Sequence, residues 1–308
     1  MVAPMPATIS VRGLRKSYGA VAAVDDVSFE VERGEFFGIL GPNGAGKTTT
    51  LEMLEGLREP DDGELSVLGL PPWPRNPALL PRIGVQLQAS SFFEKLTARE
   101  QIRTFASLYD VPSRRADQML GVVGLDEQAD IRAEKLSGGQ AQRLSIACAL
   151  VHDPELVFMD EPTGALDPQA RRNLWDLLRQ INADGRTVVL TTHHMDEAET
   201  LCDRVAIMDH GQILQLGPPA ALVRQLDTPV RISVESGQLT AADAKALARD
   251  EASGDAVSDD GVSLTVSTRD PGAVLAGLAS RNALAGLRVQ GATLEDVFLE
   301  LTGREYRA

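Results

Sequence analysis

Along the first forty positions the apolar residues fall in short runs spaced for extended chain. Ile9 to Arg12, Val27 to Val31 and Phe36 to Leu40 are rich in β-branched and aromatic residues and are separated by glycine or charged turns, which predicts three strands. A glycine-rich stretch then leads into a helix that should open at about Lys47. From Leu96 to about Val151 the apolar spacing becomes helical. Thr97-Ala98-Arg99-Glu100 has the S/T-x-x-E form of a capping box and heads a periodic run to Tyr109. A further helix is expected from Ser113 to Val123, closed by Gly124. Residues from about 89 to 152 therefore read as an all-helical insert.

After Pro154 strand and helix alternate again. Leu156 to Met159 and Thr187 to Thr191 are continuous apolar runs, as parallel strands covered on both faces require. Ala170 to Asn182 and Asp196 to Cys202 read as helices, and Val205 to Met208 with Gln212 to Leu216 as a hairpin around Gly211. This alternation predicts an α/β fold. A boundary is expected near Leu226-Asp227-Thr228-Pro229, giving a first domain over 1–227 and a second over 228–308. The second predicts a small α+β module. Its elements are a strand (Val230 to Val234), a helix (Ala241 to Ala248), two strands flanking Asp259-Asp260-Gly261, a helix (Pro271 to Ser280), a strand near Val289 and a helix (Leu294 to Leu301).

The 308 residues, 43% of them hydrophobic, suffice for one or two cored domains. A net charge of −14 with no lysine and arginine cluster argues against nucleic acid as a partner and against direct adhesion to anionic lipid. Cys148 and Cys202 lack CxxC spacing and lie in apolar sequence, which reads as buried, reduced thiols of a cytosolic protein. No apolar stretch reaches the roughly 18–20 residues needed to span a bilayer; the longest, Pro271 to Leu287, is broken by Arg281 and Asn282. The first ten residues have no basic and apolar signal-peptide pattern. The expectation is a cytoplasmic protein without membrane insertion, any link to a membrane running through a partner.

Three segments carry chemistry. Gly41-Pro42-Asn43-Gly44-Ala45-Gly46-Lys47-Thr48 fits G-x-x-x-x-G-K-[ST], with Thr49 next in the helix. Glycines there let backbone N–H groups wrap phosphates, Lys47 brings a point charge to the β/γ-phosphates, and Thr48 offers a hydroxyl to Mg²⁺. The following helix adds its N-terminal dipole. Leu156-Val157-Phe158-Met159-Asp160-Glu161 ends a buried strand in two carboxylates; Asp160 is expected in the Mg²⁺ shell and Glu161 against the attacking water. Finally Ser137, Gly138, Gly139 and Gln140, in Leu136-Ser137-Gly138-Gly139-Gln140, form a second phosphate-facing helix start. One nucleotide does not need two such cradles in one chain, so a head-to-tail dimer is expected, each copy completing the other's site.

In this order and spacing the motifs resemble the ATP-binding subunits of ABC transporters, over roughly Thr8 to Leu226. The resemblance implies a P-loop NTPase fold of ABC type: a mixed sheet core with an antiparallel β subdomain and a helical subdomain. It implies ATP and Mg²⁺ as cofactors and ATP hydrolysis as the reaction. It also implies that Tyr18 stacks on adenine, that Asp167 belongs to the loop crossing the dimer, and that His193 is the switch histidine at the γ-phosphate. The spacing T-H-x-x-[DE]-[DE]-A selects His193 over His194, which is left as a satisfied surface or core residue. Gln88 corresponds to the glutamine sensing Mg²⁺ and the water; Gln86 competes, and Gln88 is preferred as the end of the strand-like run from Ile83.

The tail from Ala292 to Arg304 is similar to that of daunorubicin-resistance-type exporter ATPases of the ABC-2 group, although Gln140-Ala141-Gln142-Arg143 is closer to the general ABC form. Within it Leu294, Val297, Phe298 and Leu301 also make an ordinary core-facing stripe. What the resemblance implies is the motor of an exporter for a drug-like or lipid-like substrate. Its partners would be a second copy and separate ABC-2 type membrane permease subunits, whose coupling helix would dock near the insert beginning around Phe92. A soluble ABC-type ATPase with a regulatory, translation or DNA-related role and an importer motor stay open as alternatives.

Overall fold

The computed structural model describes residues 7–86, 92–164, 166–226, 229–247 and 256–303. The chain forms two compact units, the first running to Pro219 and the second starting at Ala220. The change falls inside a short helix, Pro219–Arg224, that the apolar pattern does not announce.

The first unit holds two sheets. The smaller is antiparallel, in the order β2-β1-β4, from β1 (Ile9–Tyr18), β2 (Val21–Val31) and β4 (Asp62–Val67). Strands β1 and β2 run well beyond the apolar segments that predicted them. The added part of β1 is mostly polar, that of β2 runs Val21-Ala22-Ala23-Val24-Asp25-Asp26 with only Val24 buried, and the pairing is interrupted by register shifts between Val11 and Ser17.

The larger sheet comprises β3 (Phe36–Leu40), β5 (Ile83–Gln86), β6 (Leu156–Asp160), β7 (Thr187–Thr192), β8 (Arg204–Asp209) and β9 (Gln212–Gly217). They stand in the order β5-β6-β7-β3-β8-β9, parallel except for the β8–β9 hairpin. Strands β3, β6 and β7 are buried at every position, which is why their sequences run apolar without alternation. The two sheets share a core: Val11, Leu14 and Phe29 from the smaller join Phe37, Ile39 and Phe158 from the larger, with Leu51 and Leu54 in the same cluster. Phe29 and Phe37 stack with ring centroids 5.2 Å apart. Burying each such side chain contributes about 1.5–3 kcal/mol.

Helix α1 (Lys47–Leu54) follows β3; α5 (Pro168–Ala183) and α6 (Met195–Leu201) follow β6 and β7. Between β5 and β6 come α2 (Ala98–Leu108), α3 (Ser113–Val122) and α4 (Gly138–Leu150). The capping box at α2 forms: Thr97 Oγ1 accepts the Glu100 N–H at 3.2 Å and Glu100 Oε2 accepts the Thr97 N–H at 2.8 Å. Every residue of α4 from Leu144 to Leu150 is buried.

The second unit follows α7 (Pro219–Arg224) with β10 (Val230–Glu235), α8 (Ala241–Leu247), β11 (Ala256–Asp259), β12 (Ser263–Thr268), α9 (Pro271–Ser280), β13 (Arg288–Gln290) and α10 (Leu294–Thr302). The antiparallel order β11-β12-β10-β13 with two intervening helices is the ferredoxin-like β-α-β-β-α-β arrangement. Its core is its own, built from Ile232, Val234, Leu264, Val266, Val274 and Leu278.

Candidate active site

Strands β6, β7 and β3 lie side by side, and their C-terminal ends face the same edge of the sheet, the usual ligand-binding edge of a parallel α/β sheet. Ladder registry sets the relative heights: Asp160 pairs with Thr191 and Leu40 with Thr192. The phosphate loop leaves β3 at Gly41, whose N–H donates to Thr192 O at 3.3 Å. A Cβ on Gly41 would stand 2.1 Å from Met208 O, and one on Gly46 would stand 2.2 Å from Ala23 O, with Gly46 already at φ +104. Neither position can carry a side chain. Within the loop the Ala45 N–H donates to Pro42 O at 3.1 Å. Asn43, Gly44, Gly46, Lys47, Thr48 and Thr49 line an open cavity of about 290 Å³, together with Tyr18 and Glu161.

Lys47 is buried and curls back over the loop, donating to Gly41 O at 2.8 Å and Pro42 O at 3.1 Å. Its burial pushes the ammonium pKa down, against the pull of Glu161. Thr48 Oγ1 lies 3.2 Å from both carboxylate oxygens of Asp160, which also accepts from the Thr191 hydroxyl. Desolvation raises the pKa of Asp160, and those two hydroxyls oppose it. Thr191 serves the next residue as well: its carbonyl and hydroxyl oxygens each accept the Glu161 N–H at 3.1 Å. That holds Glu161 at φ +46, unusual for a non-glycine residue. The Glu161 carboxylate stands between two cationic or donor groups. Oε1 is 3.4 Å from Lys47 Nζ and Oε2 is 3.2 Å from His193 Nδ1, the latter a contact rather than an aligned hydrogen bond. Lys47, Thr48, Asp160, Glu161 and His193 are thus brought together.

The other expected residues have separate places. Tyr18 is exposed, and its ring lies 5.3 Å beneath the guanidinium of Arg58, itself paired to Glu52 at 2.5 Å. Asp167 caps α5, accepting the Gln169 and Ala170 N–H groups at 2.9 Å each. Ser137 caps α4 in a capping box with Gln140, whose Oε1 accepts the Ser137 N–H at 2.9 Å. Space around Gly138 is open, while a Cβ on Gly139 would touch Ala170. None of Ser137, Gly138, Gly139 and Gln140 lines the Lys47 cavity. Strand β5 is described up to the buried Gln86, and Leu87 and Gln88 lie outside the described residues. His194 packs at 4.2 Å between ring centroids on His193, with its Nε2 buried and without a hydrogen-bond partner among the described residues, unlike the satisfied residue anticipated.

Thr191 and Arg58 escape a reading by motif. Thr191 and Thr192 close the strand after the apolar Val188-Val189-Leu190, and those two hydroxyls at its end are the one available signal. Arg58 is distant in sequence from Tyr18 and gives no signal at all.

A glycine loop wrapped around a buried lysine, with a hydroxyl and two carboxylates from the adjoining strands, defines a P-loop nucleotide hydrolase. The family model described as "ABC transporter" matches residues 24–164. The Nod factor export ATP-binding protein I of Ralstonia nicotianae is 41% identical over 97% of this chain and 95% of its own length, and that of a Rhizobium species 40% identical over 96% and 97%. A solved ATP-binding subunit of an ABC transporter superposes with a TM-score of 0.64 at 30% identity, over 71% of this chain and 92% of the other. The chain belongs to the ABC transporter ATP-binding family; it is an ATP-binding ATPase with the fold of that family. No helix among the described residues is long and apolar enough to cross a membrane.

Proposed function

We propose that this chain is the motor of an exporter, working as a dimer with separate ABC-2 type permease subunits at the cytoplasmic face of a membrane and moving a drug-like or lipid-like molecule. The observation that carries the catalytic part is the Glu161 carboxylate held within 3.4 Å of both Lys47 and His193. In this reading Lys47 exchanges its contacts to Gly41 and Pro42 for phosphate oxygens of ATP. Glu161 accepts a hydrogen bond from the attacking water and orients it toward the γ-phosphate. His193 holds the far side of that phosphate, and Tyr18, backed by Arg58, stacks on the base. An oxygen-only pair, the Thr48 hydroxyl at 3.2 Å from Asp160, suits Mg²⁺, and Gln88 is assigned to the same shell. The ion would neutralise charge on the β- and γ-phosphates.

The second phosphate-facing helix start supports the dimer. Ser137, Gly138, Gly139 and Gln140 stand away from the Lys47 cavity and are left to close over ATP held by another copy, with Asp167 in the crossing loop. Export through a permease is supported by the relatives, which are named as export ATP-binding proteins. Replacing Glu161 with Gln tests the assignment: turnover should fall by about 10²-fold or more while ATP binding persists, and the ATP-bound dimer should accumulate on a sizing column. Near-normal turnover in that variant overturns it.

A further inference from the structure

A second cavity, of about 340 Å³, opens in the first unit where β5 and the residues after α1 face α2 and α4. Its walls are apolar, with Leu57, Leu80, Val85, Phe92, Phe105 and Tyr109 among the lining residues. Polar groups also line it, Ser145 and Arg75 among them, and two others carry a buried atom without a partner among the described residues. Glu55 lines the cavity while only 3% exposed, and its Oε1 has no hydrogen-bond partner among the described residues. Its burial, reinforced by the charges of Asp160 and Glu52, pushes the carboxyl pKa up to about 8. His152 stacks on Tyr109 with centroids 3.9 Å apart and sets Nε2 2.8 Å from Ile83 O. The ring hydrogen therefore sits on Nε2, which leaves Nδ1 an acceptor, buried and without a partner among the described residues. Arg75 is the one lining cation among the described residues; it is exposed and forms no ion pair with Glu55.

Native structures satisfy buried polar atoms, so two without partners among the described residues in one cavity mark a place where partners arrive from outside, and a cation arriving beside Glu55 would release its proton. The requirements are specific: an aliphatic stem to lie along apolar walls, and a charged head with several N–H donors. Arginine meets both. A ligand bearing a carboxylate would instead meet Glu55 and a chain of net charge −14.

We propose that this cavity receives an arginine side chain from a cytoplasmic helix of the permease, with Glu55 as its counter-ion. This rests on the transporter reading above and adds to it the chemistry of the docking contact. Glu55 is an anchoring residue rather than part of the ATP site, so the ATPase of the isolated chain does not depend on it.

The test uses the full tagged chain recovered from detergent-solubilised membranes of its own organism, comparing wild type with Glu55→Gln and Glu55→Asp. Glu55→Gln should recover about tenfold less permease or worse and lose permease-stimulated turnover, while the isolated chain melts no lower and keeps its own ATPase rate. Glu55→Asp, which keeps the charge, should recover a measurable share. Substituting the permease's cytoplasmic arginines one by one with Met should reveal one whose loss matches Glu55→Gln and adds nothing to it in the double variant. Permease recovery unaffected by Glu55→Gln, or losses that add for every arginine, overturns the inference and leaves the transporter reading standing. Wild-type chain that brings down no membrane protein refutes the transporter reading itself and the inference with it.

Discussion

Replacing Glu55 with Gln keeps the shape of the side chain and removes its ionisation. The carboxyl pKa rises from an ordinary 4.5 to about 8 on folding. The sign follows from which state holds the proton: between those two values the native chain is protonated and the unfolded chain is not. Stability linked to Glu55 is therefore fully present below pH 4.5 and drains away as pH rises through about 8. At about 1.4 kcal/mol per unit the whole window is worth about 5 kcal/mol. Gln has no such window, and its own amide cost is independent of pH. The gap in unfolding free energy between variant and wild type should thus widen by about 4 kcal/mol between pH 5 and pH 8.5, in favour of the variant. Urea unfolding followed by tryptophan fluorescence reads the right part of the molecule, because both tryptophans, Trp73 and Trp175, belong to the first unit, which contains Glu55. Equal urea slopes for the two chains are needed for the comparison. A gap that stays constant within about 0.5 kcal/mol across that range would mean that Glu55 ionises normally, and the desolvated carboxyl of the cavity would have to be abandoned.

Other perturbations probe separate links. Gly46→Ala forces a Cβ to 2.2 Å from Ala23 O at φ +104 and should abolish ATP binding in a fluorescent-nucleotide titration while lowering the melting temperature. Thr191→Val removes the hydroxyl shared by Asp160 and the Glu161 N–H; turnover should fall at least about tenfold with ATP affinity within a few-fold of wild type. Arg58→Ala uncovers one face of Tyr18 and should raise the KM for ATP more than it lowers kcat, whereas Tyr18→Ala should raise it further. Leu278→Ala opens a void in the core of the second unit and should cost it about 2–5 kcal/mol, measured by amide exchange on β10 and β12.

The sequence announced elements wherever one physical demand dominated. Phe36–Leu40, Leu156–Asp160 and Thr187–Thr192 are buried on both faces, so their apolar runs are legible without any partner in view. The Thr97 capping box and the helix Pro271–Ser280 carry their own start signals in the capping glutamate and the first-turn proline. Strand β4 went unseen because it is an edge strand beginning Asp62-Gly63-Glu64, held by pairing to β1 rather than by apolar content. At the site, loop glycines and strand-end carboxylates follow from local chemistry, whereas the distances joining Lys47, Glu161 and His193 depend on the order β6-β7-β3, which no local pattern encodes. Glu55 looks like a helix-end glutamate among many. Only its place in the fold, on the wall of a cavity shared with α2 and α4, makes it a buried acid.

The two thiols have a practical consequence. Cys148 and Cys202 are both buried, and desolvation raises both pKa values, that of Cys148 to about 12. Thiolate, the reactive form, is therefore scarce at neutral pH, and maleimide or spin-label reagents should pass over the native chain. A single cysteine placed at Val122, exposed at the end of α3 and outside the residues assigned to ATP, would carry the only label. Two labelled copies can then report their separation as ATP is added, with no native cysteine removed first. The protein comes already blank for the measurement that a site divided between two chains calls for.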